Sequence, residues 1–97
     1  MVNDLAAVGA LAGALEAGVT VPAQLAVAGY DDTFFAAIPQ VSLTSVNPDN
    51  AQIGAAAAER LLHRIGEPGA EPGTELVPPR LVVRASTSQP PREGTNA

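Results

Sequence analysis

Apolar residues recur at Leu5, Val8, Ala12 and Leu15, with Leu11 widening the stripe. This spacing of three to four predicts an amphipathic helix that opens on Asn3-Asp4, a good N-cap pair. Gly18, just past Glu16-Ala17, suits the left-handed position that ends such a helix. Gly9 and Gly13 lie four apart on it and allow a neighbouring backbone to approach closely, unless they are simply small residues by chance. Leu25 to Gly29 is then a short unbroken apolar run between turn signals, the pattern of a strand buried on both faces of a parallel sheet. Phe34 to Ile38 reads as a helical turn stopped by Pro39, and Leu43 to Val46 as a second strand. Asn47-Pro48 supplies an N-cap followed by proline at the first helical position. The helix it starts carries Ile53, Ala57, Leu61 and Ile65 at intervals of four and ends near Gly66. A proline- and glycine-rich loop covers 67–74, and Glu75–Val77 and Leu81–Arg84 read as strands separated by Pro78-Pro79. The order helix, strand, strand, helix, strand predicts an α/β domain, a parallel sheet flanked by helices, over residues 1–88. Residues 89–97 hold two prolines and no apolar pattern and are expected to be a disordered tail.

Composition narrows the function. The chain has 97 residues, ten Asp or Glu, and five basic residues that are all Arg, for a formal charge of −5. A nucleic-acid surface needs a basic stripe to neutralise phosphates, and this balance opposes one. Aromatics are 3% of a chain that is 46% hydrophobic, so its core must be built from Ala, Val and Leu and will be thin. Without cysteine there is neither a disulfide framework nor a thiolate metal site, which suits a reducing cytoplasm. No apolar run reaches the roughly 18 residues of a membrane span, and no secretory leader pattern opens the chain.

Ligands of open α/β sheets bind beyond the carboxyl ends of the strands. Two polar pairs fall at such places, Asn3-Asp4 after the short Met1-Val2 run and Asp31-Asp32 after the first full strand. A carboxylate beside an amide can both accept from and donate to hydroxyl groups, which suits a polyhydroxylated ligand. Helix capping alone accounts equally well for Asn3 and Asp31. A Mg²⁺ or phospho-acceptor reading of Asp31-Asp32 wants further acidic or Lys partners, and the chain has no Lys. His63 stands alone on the second helix with no nucleophile near it, and reads as a solvated residue. The serines and threonines lack any nucleophile-elbow context, and Gly9-x3-Gly13 lies inside a helix rather than in a phosphate loop. Neither an enzyme, a metal site nor a cofactor is expected.

The segments together carry more than a fold class. Asn3-Asp4-Leu5-Ala6-Ala7-Val8-Gly9-Ala10-Leu11, Gly18-Val19-x-Val21-Pro22, Val27-Ala28-Gly29-Tyr30-Asp31-Asp32 and Leu43-Thr44-Ser45-Val46 follow one another in order. Ile53-Gly54-x3-Ala58-x2-Leu61-Leu62 and Leu81-Val82-Val83-Arg84-Ala85-Ser86-Thr87 continue the series. In this succession the chain, over roughly residues 2 to 88, resembles the LacI/GalR family of bacterial transcriptional regulators. The resemblance implies part of the C-terminal lobe of a periplasmic-binding-protein-like (Venus-flytrap) effector domain, without the helix-turn-helix module and the first lobe. It implies an effector-sensing and dimerising role, with a sugar or related small metabolite as effector, a homodimeric full-length protein, and contact with DNA only through the module this chain lacks. The family's effector-contacting Asn and Asp fall on Asn3 and Asp31. Its dimer contacts fall on the face of the first helix around Val8 and on the segment 33–41, where Phe34, Phe35 and Ile38 stand, although core filling explains these three nearly as well. The competing expectations are a piece of a transport-type sugar-binding protein and a non-functional gene remnant.

Overall fold

A computed structural model describes residues 3–88, so the disordered tail expected at 89–97 lies outside the described residues, as do Met1 and Val2. The elements are α1 (Asp4–Glu16), β1 (Ala28–Tyr30), a 3-10 turn (Phe34–Ala37), β2 (Thr44–Asn47), α2 (Asn50–Gly66) and β3 (Arg80–Val82). They form a small α/β unit with a three-stranded sheet of order β1-β2-β3. β1 and β2 pair in parallel, Ala28 opposite Thr44 and Tyr30 opposite Val46. β3 pairs with β2 antiparallel, Asn47 opposite Arg80 and Ser45 opposite Val82, so the sheet is mixed rather than wholly parallel. The register gives the reason. The chain leaves the sheet at Asn47 and returns beside it at Arg80, and a strand starting where β2 ends must run back along it.

Between those two points lies an arm made of α2 and residues 67–79, the latter without the strand expected at Glu75–Val77. The second helix also starts later than Asn47-Pro48 predicts. Asn47 is the last residue of β2, its Oδ1 accepts from the Asp49 amide at 2.8 Å, and Asp49, with φ 61° and ψ 58°, takes the cap position without a side-chain capping bond.

The core is as thin as the composition implies. Ala7, Val27, Ala36 and Leu43 are its buried members, with Leu11, Val21 and Val41 packed against them. α1 presents Asp4, Ala7 and Ala14 to the body as its buried residues, whereas Leu5 is 74% and Leu15 82% exposed. The expected leucine stripe is therefore largely the outer face. Small side chains let α1 lie close to the sheet, and that closeness is visible at Gly29, where an added Cβ would collide with the Asp4 carboxylate and stand 3.0 Å from Leu43 Cδ2. By contrast, nothing lies within 4 Å of a Cβ built on Gly9 or Gly13, so neither marks a close approach.

Candidate functional site

Asn3 and Asp31 both stand at the surface, on segments that are tied together from below. Asn3 is the N-cap of α1: its Oδ1 accepts from the Ala6 amide at 2.8 Å. The capping account of Asn3 thus holds, and its side-chain amide nitrogen remains a donor beyond the cap. Asp31 follows β1 directly. Its amide donates to the Val46 carbonyl at 2.9 Å, which fixes the backbone, and its carboxylate takes part in no side-chain hydrogen bond or ion pair among the described residues. The cap ahead of the 3-10 turn is Thr33, so Asp31 is not a helix cap.

Asp4 joins these segments. It is 1% exposed; Oδ2 accepts from the Thr33 amide at 2.6 Å and from Thr33 Oγ1 at 2.7 Å, and Oδ1 accepts from Ser45 Oγ at 2.6 Å. Burial pushes its carboxyl up, but the bonds from Ser45 and from the Thr33 hydroxyl and amide, with the charge of Arg84, outweigh that and hold its pKa below the ordinary carboxylate value. The Asn3–Asp4 corner and the 31–33 turn are thereby locked to each other and to β2.

Asp32 carries the second lock. Its amide donates to Ser45 Oγ at 2.9 Å, its Oδ2 accepts from Asn47 Nδ2 at 3.0 Å, and its Oδ1 pairs with Arg84 Nη2 at 2.8 Å. Both partners of that ion pair are largely shielded from solvent. Arg84 also donates from Nη1 to the Leu43 carbonyl at 2.8 Å. The segment after it is laced to the body by Ser86, whose Oγ donates to the Val27 carbonyl at 2.6 Å and accepts from the Thr44 amide at 2.8 Å. Among the described residues, every buried side-chain polar atom has a partner. Strand-end position singled out Asp4 and Asp32 only as members of the Asn3-Asp4 and Asp31-Asp32 pairs, and the supporting roles of Asp4, Asp32, Arg84 and Ser86 were missed. For Arg84 the available signal was an Arg closing the strand-like run Leu81–Val83 in a chain with five basic residues.

The residues expected at an interface are not gathered into the core. Val8 is half-buried and lines an open apolar groove of about 570 Å³ with Leu11, Leu15, Val21 and Val41. Phe34 is 81% exposed and Ile38 is also exposed, whereas Phe35 is half-buried and meets Phe34 edge to face at 5.2 Å. Core filling is therefore not the role of Phe34. His63 is solvated on α2, 3.6 Å from Glu67.

Comparison with known proteins gives this geometry a context. A periplasmic binding protein-like domain is matched over residues 1–87. The chain is 36% identical over 91 residues to the HTH-type transcriptional regulator MalR of Streptomyces coelicolor, covering 94% of this chain and 26% of that protein. It superposes with a TM-score of 0.78 and 34% identity on the lac repressor dimer bound to operator and the anti-inducer ONPF, over 89% of this chain and 30% of that one. A LacI family regulator of Enterococcus faecium with bound ribose matches with a TM-score of 0.76 and 31% identity, over 90% of this chain and 33% of that one. The chain spans about a quarter of the length of the curated regulator it resembles.

Proposed function

From its membership of the periplasmic binding protein-like family, in the form found in LacI-type transcriptional regulators, we propose that this chain is part of the effector-sensing lobe of such a regulator. The observation that carries the proposal is that two exposed polar groups, Asn3 and Asp31, stand on segments that a buried carboxylate ties together. Asn3 offers a donor and Asp31 two acceptor oxygens, and Asp4 holds their segments together. That set suits a small polyhydroxylated effector, and the ribose bound to the Enterococcus faecium relative supports the carbohydrate class. In a complete regulator the effector would favour one relation of the two lobes and thereby alter operator affinity. The arm, whose Leu61, Leu62 and Ile65 are each at least 60% exposed, is where a first lobe would pack. The groove at Val8 and the surface at Phe34, Phe35 and Ile38 are proposed to meet a second copy, as befits a relative solved as a dimer.

The test uses residues 1–97 joined to the DNA-reading module and first lobe of the lac repressor, titrated calorimetrically with ribose and a panel of mono- and disaccharides. A charge-assisted hydrogen bond is worth about 1.5–3 kcal/mol, so Asp31→Ala should weaken the bound sugar roughly tenfold to a hundredfold, and Asp31→Asn less. Operator binding without sugar should hardly change. Unaltered sugar affinity in Asp31→Ala would remove Asp31 from the site.

A further inference from the structure

Asp31 and Asp32 are consecutive non-glycine residues with positive φ, 108° and 51°. Asp enters the left-handed region more readily than most L-residues, but φ 108° at Asp31 lies outside it and persists only where the surroundings impose it. Four bonds hold the turn to the body: the Asp31 amide to the Val46 carbonyl, the Asp32 amide to Ser45 Oγ, and the Thr33 amide and hydroxyl to the Asp4 carboxylate. The Asp32 carboxylate does something different. One oxygen is bonded to Asn47, where the chain leaves the sheet for the arm, and the other to Arg84, two residues after the strand by which the chain returns. This single carboxylate is thus shared by the turn, the outgoing crossing and the returning segment.

We propose that Asp32 is a positioning residue that fastens the Asp31 turn to both chain crossings of the arm, so that the conformation presenting Asp31 depends on where those crossings lie. The significance of the device rests on the reading of Asp31 as an effector contact, but its operation does not require any ligand. Displacement of Asn47 or Arg84 pulls on opposite oxygens of one carboxylate, whose own backbone is the second residue of the strained turn. The arm has no comparable bond to the 31–33 turn elsewhere among the described residues. A domain that senses a ligand at Asp31 and reports through the arm needs such a link, and Asp32 supplies it with a shielded ion pair rather than an exposed one that water and salt would weaken.

Amide hydrogen exchange on the 97-residue chain, read residue by residue by NMR without ligand, tests this. The Asp31 amide reports the turn, and the Leu43 amide, bonded to the Ala36 carbonyl, reports the core. Asp32→Ala and Arg84→Met should each speed exchange at Asp31 about tenfold or more relative to Leu43, with loss of the positive φ at Asp32 in the one-bond Cα–Hα coupling. Asn47→Ala should act in the same direction more weakly, and Arg84→Lys should restore part of the protection. The double variant should be no worse at Asp31 than the stronger single one, because both remove the same link. If all amides accelerate by one common factor, or the two substitutions add, Asp32 is a structural residue only and the proposal falls. Should Asp32→Ala and Arg84→Met not fold, Asp32→Asn is decisive: its failure to fold also counts against a positioning role. None of these outcomes depends on sugar binding, so a failed titration at Asp31 and a failed link at Asp32 remain separate results.

Discussion

The body and the arm of this chain contain the same kinds of residue and are held in opposite ways. In the body, residues 3–47 and 80–88, one large side chain, Leu43, is completely buried, and alanines fill much of the remaining core. What gives the body its definition is a set of satisfied polar groups, Asp4, Thr44, Ser45 and Ser86, each 4% exposed or less. In the arm, Ala56 is the buried residue of a 17-residue helix; Leu61, Leu62 and Ile65 are exposed, and Ile53 and Leu76 line an open pocket between the helix and residues 73–77 and are exposed as well. Most helical stability in proteins comes from packing of the apolar face, and α2 has little of that face covered. A thin core can therefore be specific when its polar groups are paired, whereas an apolar stripe without a surface to cover it defines little.

The largest effect that sharpens this contrast is expected at Leu43. Leu43→Ala removes the principal buried side chain of the core and should cost about 2–5 kcal/mol, read as a lowered midpoint in chemical unfolding. Asp4→Ala should cost about 3 kcal/mol, since it leaves the Ser45 hydroxyl and both Thr33 donors without their acceptor. The same carboxylate sets an acid limit. Its folded pKa lies below its unfolded value of about 3.9, so its contribution is complete above that value and disappears as pH falls through the folded pKa. Stability of the native chain should therefore fall with acid below about pH 4, and Asp4→Asn should flatten that slope. A slope unchanged by Asp4→Asn would place the acid sensitivity in other carboxylates.

Much of this fold is legible in the sequence, and what is not has a common physical cause. Turn signals placed β1, β2, the 3-10 turn and both helices to within a few residues, because glycine, proline and Asx residues act on the local backbone. The buried face of α1 was not legible. Apolar periodicity finds the side of a helix that wants cover, and in α1 Leu5 and Leu15 point away from the body, Leu11 packs at the margin of the core, and Ala7, Ala14 and Asp4 face it. The direction of β3 was equally out of reach, since it follows from a return to the same end of β2 after an excursion of more than thirty residues. At the candidate site, Asn3 and Asp31 could be proposed from motif and position. Their supports could not, because Asp4 meets Ser45 and Asp32 meets Arg84 across 41 and 52 positions of sequence.

The smallest effect is expected in the arm, and it is the most direct test of the contrast because it uses the same residue type as the largest. Leu61 and Leu62 are 60% and 67% exposed. Leu and Gln have nearly equal helix propensities, so Leu61→Gln and Leu62→Gln alter the apolar face with little change to the helix itself. Chemical unfolding followed through the body should move by no more than about 0.5 kcal/mol for either substitution, as for surface positions in general. Amides of α2 should also exchange faster than that of Leu43, in the native chain and in both variants. If either substitution costs more than about 1 kcal/mol in the monomer, the arm packs on the body in solution and the distinction between the two regions fails. If the cost appears only at high protein concentration and vanishes on dilution, the arms of two copies are covering one another, and the apolar stripe has found a surface of its own.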